Sequence, residues 1–316
     1  MKLLTFFLLL FFISTLHGQK DFRVEKEIVI RPEKAKSGLL RFTVKENNNE
    51  LYKVDKSIDF DIPHPGFGVF QNGNLALFSA FEKNVVIYTP SGKELKKINL
   101  SEFIAEYEVP LFYYIDGNEA YIVLPEMKES VNRNIFINSA GKIIKEFDTP
   151  FEQINGISYS SSAKLAVTSK ISWRGVKPVK EIIFRNLKGE VLNSIEGAFF
   201  KGEFTSAGFW AIDKQQYMLI NPKVGMIFEE RLQAGKIVLD IIDSADEVYI
   251  VTSTAPELKQ GAFVSDKLEI LVYSGEKKSG VAEVNENIAY ERMEVTELYP
   301  VVIGKSGVRI PIAFLN

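Results

Sequence analysis

Few residue types in this chain can do chemistry. Cysteine is absent from all 316 residues, which excludes thiolate nucleophiles, thiolate metal sites, haem attachment and disulfides. Histidine occurs twice, as His17 and His64. His17 lies in an N-terminal segment that reads as a removable leader, so any Ser–His–Asp triad must use His64, and no multi-His metal site can be built. His64 stands in Ile62-Pro63-His64-Pro65-Gly66-Phe67-Gly68, where two prolines and two glycines dictate a rigid turn. The acidic residues Asp116, Asp213, Asp243 and Asp246 fall in turns, where a short carboxylate bonds its own backbone, and none lies in a D-x-D-x-D-G calcium loop. No Gly-rich loop of a phosphate-cradling type occurs, and no cofactor is expected. What stays open is a carboxylate pair assembled from distant strands, acting as acid and base in a hydrolase or lyase.

The aromatic residues offer a different kind of site. Trp210 lies in the apolar run Gly208-Phe209-Trp210-Ala211-Ile212 and reads as core. Trp173 lies in a polar, basic stretch beside Arg174, with Lys170, Lys177 and Lys180 around it. Trp and Arg are the residue types most enriched at binding hot spots, so this pair suits an anionic or aromatic partner. Formal net charge is only −3 and no Lys/Arg cluster exceeds a few residues, which argues against nucleic acid as that partner.

Positioning these residues falls to a repeat. An apolar strand, a short turn carrying Gly and a second strand with alternate charges recur: VVIYTPSGKELKKI from Val85, IFINSAGKIIKEF from Ile135 and IIFRNLKGEVLNSI from Ile182. Looser copies start at Met218, Ile270 and Val301. The glycines Gly92, Gly141, Gly189 and Gly307 occupy the turn, where a hairpin requires positive φ. A second pair of apolar stretches precedes each hairpin, so each unit is four short antiparallel strands within about 35–50 residues, the period of a propeller blade. Helix is expected only in short connectors such as Ser101–Tyr107.

These hairpins resemble those of six-bladed β-propellers of the NHL and TolB-like kind. The resemblance spans most of the chain and implies an all-β propeller fold; it carries no active-site residues. Five units run from about Pro65 to Val284. The ends, Leu39–Val44 with Leu51–Val54 and Leu298–Ile303 with Val308–Phe314, are expected to join in one blade that closes the ring at six. If Phe22–Ile30 and Ile288–Val295 add a further blade, the count becomes seven.

Connections between the second and third strands lengthen at Pro125–Asn134, Ser169–Lys180 and Ser253–Asp266. Long loops on a rigid scaffold are where binding concentrates. Arg133 and Phe263 join Trp173, Arg174 and His64 as candidate ligand-binding residues on that face. Lys2 followed by the apolar run Leu3–Phe12 reads as a secretory signal ending near Gly18, with one domain over 19–316. No later stretch reaches the length of a membrane span. The sequence therefore reads as a monomeric protein, secreted or periplasmic, that binds a protein, peptide or glycan without catalysis.

Overall fold

In the computed structural model, apolar strands and Gly-bearing turns alternate as the repeat requires. The structure describes residues 22–314 apart from 31–36, 47–48, 60–62, 104–110, 127–128, 245–246, 255–256, 260–261, 286, 296–298 and 306. Among these there are strands and turns and no helix; Ser101–Phe103 form a turn, and the rest of the expected Ser101–Tyr107 connector lies outside the described residues.

Seven antiparallel sheets form among the described residues. The first holds β1 (Phe22–Ile30), β2 (Ser37–Glu46) and β3 (Asn49–Asp59); the second β4 (Gly66–Val69), β5 (Leu75–Ser79), β6 (Asn84–Tyr88) and β7 (Glu94–Asn99). In the third are β8 (Phe112–Asp116), β9 (Glu119–Glu126), β10 (Val131–Asn138) and β11 (Ile143–Pro150). The fourth comprises β12 (Gln153–Ser160), β13 (Leu165–Arg174), β14 (Lys177–Asn186) and β15 (Val191–Glu196). The fifth comprises β16 (Lys201–Thr205), β17 (Gly208–Asp213), β18 (Gln216–Asn221) and β19 (Gly225–Arg231).

The last two sheets are interleaved. The sixth is β20 (Lys236–Ser244), β21 (Glu247–Thr254), β24 (Lys267–Ser274) and β25 (Lys277–Val284). Between β21 and β24 the chain makes β22 (Glu257–Lys259) and β23 (Ala262–Ser265), which leave that sheet. They join β26 (Ile288–Val295), β27 (Pro300–Gly304) and β28 (Arg309–Pro311) in the seventh, through the register Val264↔Ala289 and Ser265↔Ile288.

Two sequence expectations change. The count is seven, the larger of the two weighed, and not the six of the propeller kind the hairpins resemble. Nor do the two ends share a blade: among the described residues β1 to β3 pair only with one another, and β26 to β28 complete a separate sheet. The reason is strand supply. Phe22–Ile30 extends the N-terminal pair to three strands and Ile288–Val295 gives the C-terminal pair an inner strand, so neither end needs the other.

The Gly hairpins share one geometry. In three of them the N–H of Thr89, Asn138 or Asn186 donates to the carbonyl four residues on, at 2.8, 3.0 and 3.1 Å, and the turn Gly donates back. Gly92, Gly141 and Gly189 have φ of 74°, 76° and 84°, and the ladder shifts register beside each turn. This is a type I turn closed by a bulge whose Gly takes the left-handed conformation. The Asn138 and Asn186 side chains each accept two further backbone N–H groups, which explains Asn at the turn's first position.

Burial follows the sheet faces. The chain divides into two units, one of residues up to 102 with the tips 115–119 and 138–142, the other of the remainder. In the first unit Leu40, Phe42, Val44, Val54, Leu75 and Leu77 fill the space between the first two sheets. Asn74 and Asn72 reach from the β4–β5 turn to Ser139, with Asn74 Nδ2 donating to its carbonyl at 2.8 Å. In the second unit four clusters each lie between successive sheets. Tyr121, Phe136 and Tyr159 join the third to the fourth, and Phe184, Phe199 and Phe209 the fourth to the fifth. Trp210, Tyr217 and Tyr273 join the fifth to the sixth; Leu268, Met293, Val302 and Ile312 join the sixth to the seventh. No helix among the described residues is long and apolar enough to cross a membrane.

Candidate functional site

The stretch Ser169–Lys180, expected as a long loop, is strand. β13 continues to Arg174 and β14 resumes at Lys177, leaving only Gly175 and Val176 as the turn. Gly175 has a φ of 64° while Val176 is not in the left-handed region, the pattern of a type II′ hairpin, which a Gly-X turn encodes. Polar, basic residues with Gly and Pro read as loop because no hydrophobic alternation announces a strand there. Nothing in the core requires one, because the hairpin stands clear of its sheet. β12 pairs with β13 only as far as Gln153↔Ile171, and β15 with β14 only as far as Glu181↔Glu196. Beyond them three cross-strand pairs, Ser172↔Val179, Trp173↔Pro178 and Arg174↔Lys177, project without neighbours. At a rise of about 3.3 Å per residue the projection is about 10 Å.

Trp173 is 64% exposed on this projection and Val176 91%. The base is anchored: Lys170 Nζ lies 3.0 Å from Glu181 and in contact with Glu152, and these two carboxylates hold its pKa up although burial works against the charge. Lys180 pairs with Asp213 at 3.4 Å. No Asp or Glu occurs from Gln153 to Lys180, whereas Lys164, Lys170, Arg174, Lys177 and Lys180 do.

The other candidates lie on other sheets. The Pro125–Asn134 and Ser253–Asp266 connections are also largely strand, because β9 runs to Glu126, β10 starts at Val131, and β22–β23 occupies the second. Arg133 is the third residue of β10, and its guanidinium bonds Asp148 at 3.2 Å, pairs with Glu129 and lies 6.0 Å from the Phe103 ring centre. It borders a cleft of 260 Å³ also lined by Phe103, Ile135, Glu146, Phe147 and Asp148. Phe263 is on β23, in register with Leu258. His64 is half-buried on the segment leading into β4, in the first unit. Only Trp173 and Arg174 share one element.

The residues that sequence reasoning did not name belong to the second unit's inner strands. Tyr114 on β8 donates its hydroxyl to Glu203 Oε2 on β16 at 2.5 Å. Lys201, also on β16, bonds Asp240 Oδ1 on β20 at 2.6 Å, and the Tyr290 hydroxyl on β26 donates to Asp240 Oδ2 at 2.7 Å. Burial pushes the Glu203 carboxyl up, Asp243 and Asp240 add to the rise, and Tyr114 and Lys201 oppose it. Burial and the Asp240 charge drive the Tyr290 phenol far above its ordinary range. Here carboxylates from distant strands do converge, but the chain's own donors occupy them: both Asp240 oxygens are bonded, one of them by Lys201, and Glu203 accepts the Tyr114 hydroxyl. No spacing in the sequence could announce a contact such as Tyr114 to Glu203, 89 residues apart. Among the described residues no group of His, Asp and Glu is arranged to hold a metal ion.

Solved structures place this architecture among the β-propellers. The chain superposes on the WD40 domain of Neurospora crassa Pan2 with a TM-score of 0.55 at 11% identity, covering 80% of this chain and 76% of that one. Virginiamycin B lyase from Staphylococcus aureus matches with a TM-score of 0.53 at 12% identity, over 94% of this chain and 100% of the other. The dihydro-heme d1 dehydrogenase NirN matches with 0.58 at 13% identity, over 93% and 66%. At such identities the likeness is one of fold. No protein-family model and no curated protein matches the chain.

Proposed function

We propose that this is an exported, noncatalytic β-propeller that binds a protein, peptide or glycan through the β13–β14 hairpin. One observation carries the reading: Trp173, 64% exposed, stands with Val176 on a hairpin that projects past both neighbouring strands. A large aromatic held in water has only two side-chain torsions to fix and gives up little conformational entropy on docking, the property of a hot spot. Export rests on Lys2 and the apolar run Leu3–Phe12, which lie outside the described residues.

The test compares wild type with Trp173→Ala in capture from the extracytoplasmic fraction, with melts of both. The variant loses the complex by at least about 2 kcal/mol. Its stability stays within about 0.5 kcal/mol, as for an exposed position. Equal capture by both proteins overturns the reading.

A second reading has its own observation. Glu203 has a raised pKa and a Tyr partner, as a general acid does. Turnover of any substrate that is lost in Glu203→Gln and kept in Trp173→Ala would favour the hydrolase or lyase. The internal bonding of Asp240 and Lys201 is what ranks this reading second.

A further inference from the structure

The projecting hairpin has two edges, and they are not equivalent. Pro178 has no N–H, so the Trp173↔Pro178 pair cannot exchange both ladder bonds. A two-residue turn closes on a bonded pair, here Arg174↔Lys177, which makes Trp173↔Pro178 the unbonded pair next to it. The Trp173 N–H and C=O consequently point away from β14. The alternation is visible two residues further in: the Lys180 carbonyl faces outward and accepts the Gly197 N–H at 3.0 Å, while Ile171 on β13 pairs outward with Gln153 of β12. At Trp173 there is no β12 left to pair. One edge therefore offers the N–H and C=O of Trp173 in line with an existing sheet, and the other is blunted by proline.

We propose, resting on the binding role above, that the partner is a protein contributing an extended acidic segment that adds as a strand to β13 at Trp173. Strand addition uses main-chain bonds for affinity and alternate side chains for selectivity. The incoming strand continues the line of β12, which stops at the pair Gln153↔Ile171. Trp173 supplies apolar contact for a side chain of the incoming strand. Charge selects the acidic sequence: Glu152, Glu181 and Asp213 pair with Lys170 and Lys180 at the base, whereas the projecting part carries Arg174 and Lys177 and no acidic residue, and Lys177 makes no ion pair among the described residues. Glu152 does not oppose it, because Lys170 already pairs with that carboxylate.

The probe is a seven-residue peptide of alternating Glu and Val, and the readout is fluorescence. Trp210 is fully buried, so a quencher in water reports on Trp173, the other of the two tryptophans. Titration shields Trp173 from iodide, and hydrogen exchange shows its amide slowed by about tenfold or more on binding. The same peptide with a central Pro, or with Lys in place of Glu, binds at least about tenfold more weakly. So does the protein with Trp173→Ala, while Trp173→Phe recovers most of the affinity. Equal binding of the Pro-interrupted peptide, or no protection of the Trp173 amide, overturns strand addition. Competition by polygalacturonate but not by the peptide assigns the face to an acidic glycan instead. Concentration-dependent dimerisation abolished by Trp173→Pro assigns it to a second copy. If Trp173→Ala abolishes native capture while the peptide fails, the binding role stands and strand addition falls; if capture is unaffected, both fall.

Discussion

A single backbone angle decides how the hairpins tolerate change. Gly189 has a φ of 84°, and a Cβ there would meet a Phe147 ring carbon at 2.8 Å; Gly175 has a φ of 64° but opens onto empty space. A left-handed L-residue costs about 1–2 kcal/mol. Gly189→Ala is expected to lose at least that, because the Phe147 contact adds to it; denaturant titration of the variant measures the loss. Titration at Glu203 has a defined sign. Its folded carboxyl is held above the unfolded value of about 4.3, so the folded state binds the proton more tightly. Stability contributed at low pH is lost as pH rises from about 4 through the folded value, and the loss is complete above it. Glu203→Gln removes this slope, and Tyr114→Phe steepens it by deleting a hydrogen bond that opposes the rise. Melts at pH 4 and pH 8 check this; parallel profiles for wild type and Glu203→Gln would contradict it. The turn glycines were readable because only Gly meets the angle cheaply. Glu203 and Asp240 were not, because burial and long-range pairing leave no local trace.

Among the elements, the β13–β14 arm projects clear of its sheet and, on the proposed binding role, should matter to recognition more than to stability. Replacing 172–179 by a two-residue Gly-containing turn should leave the melting free energy within about 0.5 kcal/mol and abolish partner capture. A large loss of stability would show that the arm is packed in a way its exposure does not indicate. The four-stranded period was legible in the sequence because each Gly hairpin follows a buried apolar strand such as Val85–Ile87 or Ile135–Ile137. The arm was not. Its residues answer to solvent and not to a core, so strand and loop look alike there, and only the Gly175-Val176 turn and the placement of Pro178 carry the signal. The strand pairs at the two ends were legible too; their further members, β1 and β26, read equally well as strands, and it is they that make the number of sheets seven and not six among the described residues.

At the scale of the molecule, the C-terminal residues matter through packing. Ile312 is 5% exposed in the cluster between the sixth and seventh sheets, and Phe314 lies 6.1 Å from Tyr249. Truncation before Val308 removes β28 and both side chains, leaving β27 as a bare edge. Ile312→Ala alone is expected to cost about 2–5 kcal/mol, and the truncated protein to aggregate on heating below the wild-type transition. An unchanged melting temperature would rule this packing role out. Intact-mass spectrometry of exported material should find the chain beginning at Gln19. The interleaving of the last two sheets bears on how the protein is made. β22 and β23 leave the ribosome more than twenty residues before β26, which is the strand that covers β23. At about 5–20 residues per second the hairpin waits a second or more with its edge bare. During that interval the nascent chain offers a sticky template to any passing strand, and the sixth sheet's connection stays untethered until the seventh arrives. The free edge of β23 is therefore covered only once β26 is in place, and a chain ending before Ile288 is expected to pair that edge with a wrong neighbour.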